Sequence, residues 1–453
     1  MVLPRFLRAL WGDLTNDEYK KFGILAVAMM LIIGNYWMLR VTKDALFNLF
    51  VGYKEWAPIA KIISPCVMVF AVLGYSKLVD LLKRTSLIYV MSAFYGLAFI
   101  ALSFFIKYPD MASISTTSSL YPWVSWIPGR GIGWFSYLLL ESYGSLLIAL
   151  FYSFIASVMT TDLAKRGYGF LFVFIQIATT IGILAEMFVV KRVGFAPIYF
   201  IGGVLVLLAP FVIKYYVALF ADEIAAMSAS HKEKKANTGF FEGLRLILTR
   251  PYVMGVFVVA SFYEIIHTII EYQMACAALS VYTTEHSAFA VFKGYQGLGV
   301  NLLSLVFTVV GGTSIFMRKF GLKFCMIAFP VTIGFVVLGS YIFSLAGMGN
   351  ASLMWLLLGA TIVIKGLNYA LNKPVSEVLY VPTSKDVKFK SKGWVDMFGL
   401  RATKSVGGGV NWITPLLLYG TIASLGIVAV WVFVAAFVGN TFNKLQDENK
   451  IIE

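Results

Sequence analysis

Acidic residues are scarce in this chain: 23 Asp and Glu stand against 37 Lys and Arg, and the four charged types together make up only 13% of its 453 residues. A soluble domain ordinarily carries about 25%, so a water-soluble globular class is excluded. Cysteine is nearly absent. Cys66, Cys276 and Cys325 sit far apart in apolar stretches without metal-ligand spacing, which argues against a disulfide framework or a thiolate metal site; they read as small buried residues. With three histidines there is no H-E-x-x-H pair, and no G-x-S-x-G lies in a strand-to-helix setting. No metal or cofactor is expected, and a membrane-embedded enzyme is a remote alternative only. The first residues, MVLPRFLRALWGDLTNDEYKKFG, lack the basic, apolar, small-residue order of a cleaved signal. They read instead as a cytoplasmic amphipathic helix. With no Ser- and Arg-rich extension, a bacterial inner membrane is the expected location.

What the chain has in abundance is apolar length. It is 59% hydrophobic, with mean hydropathy +0.82. A helix needs about 20 apolar residues to cross the hydrocarbon core. About twelve such stretches can be read, near 22–50, 56–81, 86–106, 131–160, 168–190, 195–219, 251–281, 288–315, 322–346, 351–381, 395–419 and 422–440. The fold class is therefore an all-α polytopic membrane protein. Its net charge of +14 lies mostly in short alternate loops, at Lys83/Arg84, Lys165/Arg166, Lys232/Lys234/Lys235, Arg318/Lys319/Lys323 and Lys385/Lys388/Lys390/Lys392. The positive-inside rule makes these loops and both termini cytoplasmic, and removes nucleic acid as the reason for the charge. Trp123 and Trp126 suit an interfacial belt. The longest polar interruption divides the chain into a segment 1–21, a six-helix half 22–219, a cytoplasmic linker 220–250, a second half 251–440 and a tail 441–453. SKLVDLLKR (76–84) and SIFMRKFGLK (314–323) stand at matching places in the two halves. Both resemble the short cytoplasmic loop of the major facilitator superfamily, although Lys83 replaces its glycine and Arg318 its acid. Transporters built from paired halves bind substrate near the midplane.

Charges inside apolar stretches are the functional signal, because each costs roughly 2.5–3.5 kcal/mol at a helix centre on insertion scales. The cations are Lys43, Lys61, Lys365, Lys373, Arg401 and Lys404, and one dominant sign implies an anionic cargo. Arg40 and Asp44 are one turn apart and suited to pair, as are Lys373 and Glu377. Lys365, Asn368 and Asn372 form one stripe. Arg401 and Lys404 precede Gly407, Gly408 and Gly409, which allow close approach of backbones or bending. The acids are Glu141, Glu186, Glu264 and Glu271. Glu264, His267 and Glu271 share a stripe suited to a proton relay; Glu186 joins them as a proton-coupling candidate. The bland reading is that acids and bases neutralise each other as structure alone. Lys and Arg with asparagines suit phosphate oxygens, and Tyr36, Tyr143, Tyr295 or Tyr369 offer a face to a flat base. Residues alone take the cargo as far as an organic phosphate.

Several segments carry a resemblance further. NYWMLRVTKDALF (35–47) is similar to an N-Y-x-x-L-R-x-x-K-D first-helix signature, Lys61 with ISPCVMV to a second-helix lysine followed by proline, and LLESYGSLLIALFYSF to a segment containing Glu-Leu-Trp-Gly. Tyr263 and Glu271 match a Tyr and Glu at equal spacing. NYALNKPVSEVLYVP and VKFKSKGWVDMFGLRATKSVGGG resemble a tenth and eleventh helix with Lys-Glu-Met-x-Tyr-Ile-Pro and Gly-Lys-Ser-Gly-Gly elements. Together they resemble the nucleotide transporters (ATP/ADP translocases) of obligate intracellular bacteria and plastids. The resemblance implies a major-facilitator-like fold of twelve helices and nucleotide transport by alternating access. It also implies transport roles for Lys43, Glu141, Glu271 and Lys404. The chain lacks P-loop spacing around its Lys404-Ser405, so nucleotides are moved and not hydrolysed. Departures fall at Ser142-Tyr143, Gln176, Thr268, Ala275, Lys373 and Ser376, and Glu264 and His267 are additions.

The expected function is a nucleotide transporter, exchanging ATP for ADP or importing nucleoside triphosphates, with proton coupling suggested by Glu264 and His267. A carrier of NAD or another phosphorylated metabolite is the alternative. Lys43, Lys61, Glu141, Glu271, Lys365, Asn368, Asn372, Arg401 and Lys404 are the expected substrate site, Glu186, Glu264 and His267 the proton-coupling set. The partners are the nucleotide and the lipid bilayer, with a monomer expected.

Overall fold

Long apolar runs broken by short polar turns leave the backbone one economical way to satisfy its hydrogen bonds inside lipid, namely helices. The computed structural model describes residues 14–112, 125–159, 161–224, 242–309, 312–448 and 450–452. The segment 1–13, the basic run Lys232/Lys234/Lys235 and Trp123 lie outside the described residues. The principal helices are α1 (Asn16–Phe50), α2 (Tyr53–Leu81), α3 (Arg84–Lys107), α4 (Gly131–Ser157), α5 (Thr161–Val193) and α6 (Phe195–Leu219). They continue with α7 (Pro251–Val281), α8 (His286–Val309), α9 (Leu322–Ser344), α10 (Asn350–Val378), α11 (Leu400–Ile413) and α12 (Leu417–Asp447). Strand-like pairing among the described residues is limited to a bridge between Thr383 and Ile452.

Local chemistry sets the ends. The sequence Thr-Asn-Asp-Glu opens α1 with a capping box, Thr15 Oγ1 accepting from Glu18 N and Glu18 Oε2 from Thr15 N at 2.8 Å, so two orphan donors are met reciprocally. Pro251 starts α7, where its missing N–H is no loss. Between α1 and α2 the chain turns at Gly52, whose φ of 103° suits glycine.

Ten of these helices are long and apolar enough to cross a membrane among the described residues. The two other expected crossings, 288–315 and 395–419, correspond to α8 and α11. Lys293, Gln296 and Asn301 interrupt the apolar run of α8, while α11 has 14 residues that include Arg401 and Lys404. Among the described residues three π turns interrupt helices, at Met30–Gly34, Asn368–Asn372 and Val395–Gly399. One precedes the Arg40–Lys43 stripe, one contains the two asparagines, and one leads into Arg401. Such turns are frequent where a helix presents functional groups.

The chain forms two compact units. The first comprises residues 1–53, 67–235 and 285–294, the second 54–66, 236–284 and 295–453. The start of α2 thus belongs to the second unit and the start of α8 to the first. In the first unit α1 packs on α4, α5 and α6, and α3 on α6. Small residues allow this closeness: a Cβ on Gly203 would lie 2.6 Å from the Gly96 carbonyl oxygen, and one on Gly182 within 2.2 Å of the Gly34 oxygen. In the same unit Tyr143 meets the rings of Tyr95 and Phe99 edge to face, a favoured geometry for aromatic quadrupoles. In the second unit α7 is central, packing on α10, α11 and α12 and buried around most of its circumference. Of the cysteines only Cys325 is buried; Cys66 is exposed at the protein surface and Cys276 half-buried. An apolar helix face does not by itself distinguish the protein interior from lipid.

Close approach at Gly203 gives a test. Gly203→Ala is expected to lower stability by about 1–3 kcal/mol through overpacking. Gly426→Ala, where nothing lies within 4 Å of the new Cβ, should leave stability unchanged or raise it slightly. Thermal unfolding of both variants in detergent, followed by size exclusion, measures the difference.

Candidate functional site

In the first unit, the working face of α1 carries Tyr36, Trp37, Arg40 and Lys43, all half-buried, among buried neighbours such as Asn35, Leu39 and Thr42. Lys43 Nζ lies 2.5 Å from Glu141 Oε1 on α4 and 4.1 Å from the centre of the Tyr137 ring. The ammonium is thus held by a charge-assisted bond and a π face together. Asp44 turns away from this pair and meets Lys293 of α8 at 3.0 Å, both side chains deeply buried. The expected Arg40–Asp44 pair is therefore replaced. Arg40 instead donates to the Tyr36 hydroxyl at 3.3 Å and lies over Trp37 at 4.8 Å, because the acid one turn away is claimed by a distant lysine. One turn further along α1, Asn48 Oδ1 accepts from Tyr53 N at 3.0 Å while its Nδ2 is 3.1 Å from His286 Nδ1. With the amide so oriented, His286 Nδ1 is the acceptor.

Glu186 on α5 is fully buried, and neither carboxyl oxygen has a hydrogen-bond partner among the described residues. It belongs to this unit, whereas Glu264 and His267 belong to the other. Tyr143 is also buried, its hydroxyl donating to Ile32 O at 2.7 Å, so it offers no face to a base. Tyr295 is exposed, with its ring 6.0 Å from Trp355, and Tyr369 is half-buried.

The second unit gathers most of the other expected residues around α7. Lys61 Nζ is 3.4 Å from Glu271 Oε2, and His267 Nδ1 is 3.9 Å from the same oxygen. Three residues earlier on α7, Glu264 lies 3.8 Å from Lys404 Nζ and accepts from the Tyr263 hydroxyl at 2.5 Å. The predicted stripe of Glu264, His267 and Glu271 therefore has a lysine at each end and a buried imidazole between. α11 is brought against it by small residues: a Cβ on Gly407 would stand 2.7 Å from the Ile265 oxygen, and one on Gly408 2.9 Å from the Pro58 oxygen. Ser405 Oγ donates to Lys61 O at 2.8 Å and Asn411 Nδ2 to Thr268 O at 3.1 Å.

Asn372 Nδ2 donates to Asn368 Oδ1 at 3.0 Å and Val259 O at 3.2 Å, joining the π turn of α10 to α7. Both asparagines are buried, as is Lys365; Arg401 is half-buried. The expected Lys373–Glu377 pair is not formed. Glu377 meets Lys392 at 2.5 Å, while Lys373 points outward from α10.

Lys293 is the buried cation that sequence reasoning passed over. A lysine between Phe292 and Gly294 near the start of an expected crossing was its signal, together with Gln296 and Asn301 on the same helix.

The TLC ATP/ADP transporter family model matches residues 3–443. The ADP,ATP carrier protein 1 of Rickettsia prowazekii (strain Madrid E) is 24% identical over 490 residues, covering 98% of this chain and 97% of that protein. The ADP,ATP carrier protein 1 of Chlamydia muridarum (strain MoPn / Nigg) is 24% identical over 503 residues, covering 96% and 91%. Among solved structures, a bacterial homologue of the iron transporter ferroportin in its inward-facing state superposes with a TM-score of 0.61 at 13% identity, covering 93% of this chain and 98% of that one. The POT family transporter PepTSo gives 0.59 at 13% identity, covering 94% and 98%. These two structures show that the chain shares their polytopic all-helical fold.

The buried pair makes its own prediction. Lys293→Met strands the Asp44 carboxylate and should cost about 3–5 kcal/mol, whereas pairing it with Asp44→Leu should recover most of that loss. Thermal unfolding of the single and double variants measures the recovery; equal losses in both would rule out the ion pair as the cause.

Proposed function

Because the chain belongs to the TLC ATP/ADP transporter family, we propose that it carries nucleotides across a membrane by alternating access, exchanging ATP for ADP or importing nucleoside triphosphates. It is a transporter and not an enzyme. The observation that carries the reading is the family match along almost the whole chain, which includes every residue of the charged constellation. We place it in a bacterial inner membrane with both termini cytoplasmic, and divide its transport helices into halves 22–219 and 251–440.

The geometry supports a mechanism in which carboxylates hold the lysines until phosphates arrive. Lys43 and Lys61 each have a carboxylate within 3.4 Å, so neither ammonium stands naked in a low-dielectric site. Phosphate oxygens can take over these charge-assisted bonds, and Glu141 and Glu271 are then released to other partners. Lys365, Asn368, Asn372, Arg401 and Lys404 complete the proposed substrate set. Glu271 has His267 beside it, and Glu264 lies three residues before His267, so α7 provides a route by which proton uptake could accompany substrate. Glu186, buried without a hydrogen-bond partner among the described residues, is a second proton-coupling candidate. Transport of NAD or another phosphorylated metabolite uses the same cations and is the competing assignment.

Uptake of labelled ATP into proteoliposomes, with and without internal ADP and across an imposed pH gradient, tests the reading. Lys43→Ala and Lys404→Ala should each weaken uptake at least about tenfold, the worth of one charged hydrogen bond, with ordinary yields of folded protein. Unlabelled NAD should compete poorly; strong competition by NAD and none by ATP would replace the substrate assignment. If α7 carries protons, an imposed gradient should stimulate uptake and His267→Asn should abolish the stimulation. Uptake that requires internal nucleotide and ignores pH would instead select exchange.

A further inference from the structure

Arg40 is a cation of α1 to which the foregoing mechanism gives no task. It stands one turn before Lys43, on the same half-buried stripe as Tyr36 and Trp37. Its guanidinium carbon is 4.8 Å from the centre of the Trp37 ring and 5.7 Å from that of Tyr36, and Nη1 donates to the Tyr36 hydroxyl at 3.3 Å. A guanidinium over aromatic faces keeps a planar set of N–H donors whose spacing suits two oxygens of one phosphate. Since these two rings already support Arg40, they serve as its floor and not as a stacking surface for a base.

The floor is itself positioned. One turn of α4 serves both cations of the α1 stripe: Glu141 bonds Lys43, and Gly144, three residues on, receives Tyr36. A Cβ on Gly144 would lie 2.4 Å from Tyr36 Cε2, 2.8 Å from its Cζ and 3.0 Å from its hydroxyl. Any side chain there must displace the ring that carries Arg40. Glu141 and Gly144 thus act on neighbouring cations, one through charge and the other through the space it leaves.

We propose that Arg40 is a phosphate-binding residue of the transport site, offering its donor fork to the phosphate chain beside Lys43, and that Gly144 is a positioning residue acting through Tyr36. The proposal rests on the nucleotide reading above and names the part of the substrate that this stripe of α1 holds. A residue that binds the phosphate chain discriminates by phosphate number and not by base.

The test is competition against labelled ATP uptake by the full chain in proteoliposomes, using unlabelled ATP, AMP and inorganic tripolyphosphate. Arg40→Gln should raise the half-inhibiting concentrations of ATP and tripolyphosphate about tenfold or more while changing that of AMP far less. Arg40→Lys, which restores charge without the fork, should recover only part of the loss. Gly144→Ala, with Arg40 intact, should reduce the ATP-over-AMP preference in the same direction by a smaller factor. Size exclusion and unfolding temperature identify folded variants, and the lysine and alanine variants carry the test if the glutamine one does not fold. Unchanged ATP and tripolyphosphate competition in folded Arg40 variants, or an equal weakening of ATP and AMP, overturns this proposal alone. A wild-type chain that none of the three compounds inhibits overturns the nucleotide reading and this proposal with it.

Discussion

A charge placed inside a membrane protein needs company, and around Lys43, Lys61, Lys293 and Lys404 the structure supplies it. Burial of an ammonium or a carboxylate costs several kcal/mol even after relaxation, which is more than one helix contact returns. Lys43 has Glu141 and the Tyr137 ring; Asp44 has Lys293; Lys61 has Glu271; Lys404 faces Glu264. Each link ties an early helix to a later one, so the positions of helices and the pairing of charges are one problem. The glycines at 34, 182, 407 and 408 belong to the same solution. They bring backbones close enough for side chains of fixed length to meet.

Adjacent residues on α1 show how far this goes. Lys43 and Asp44 project about 100° apart, and each finds an opposite charge on a different helix. Lys293 reaches Asp44 from the start of α8, the part of that helix that belongs to the first compact unit. In the second unit the start of α2 has the corresponding position, bringing Lys61 to Glu271. Two helix starts thus carry a lysine into the unit built mainly from the other part of the chain. A pair of this kind is weak evidence of stability, since an apolar replacement often serves as well.

Much of this was legible in the sequence, and the reason it stopped where it did is physical. Apolar length specified helices, the Thr15–Glu18 spacing specified a cap, and helical periodicity placed Glu264, His267 and Glu271 on one stripe. The glycines after Lys404 announced close approach, which occurs at Gly407 and Gly408, while Gly409 meets nothing within 4 Å. Pairing was another matter. Periodicity sees partners three or four residues away, and it offered Arg40 to Asp44 and Lys373 to Glu377. The acids went instead to Lys293, 249 positions away in sequence from Asp44, and to Lys392, 15 away from Glu377. Nothing local distinguishes a carboxylate that closes on its own helix from one that reaches across. Likewise Tyr36 and Tyr143 look alike as aromatic residues of polar motifs, yet one is half-buried under a guanidinium and the other wholly enclosed.

The π turns add a constraint that no single-residue rule contains. Each inserts one residue's worth of rotation into a helix, so the polar groups beyond it face a different direction from that of the apolar run before it. α1 can therefore bury Phe22, Leu25 and Met29 along one face before the π turn and leave Tyr36, Trp37, Arg40 and Lys43 half-buried on one stripe after it. The same device lies at Asn368–Asn372 and before Arg401. A regular helix would have to choose between continuous apolar packing and the aim of its cations. Local departures from regularity relax that choice, and they occur beside the residues on which the proposed chemistry depends.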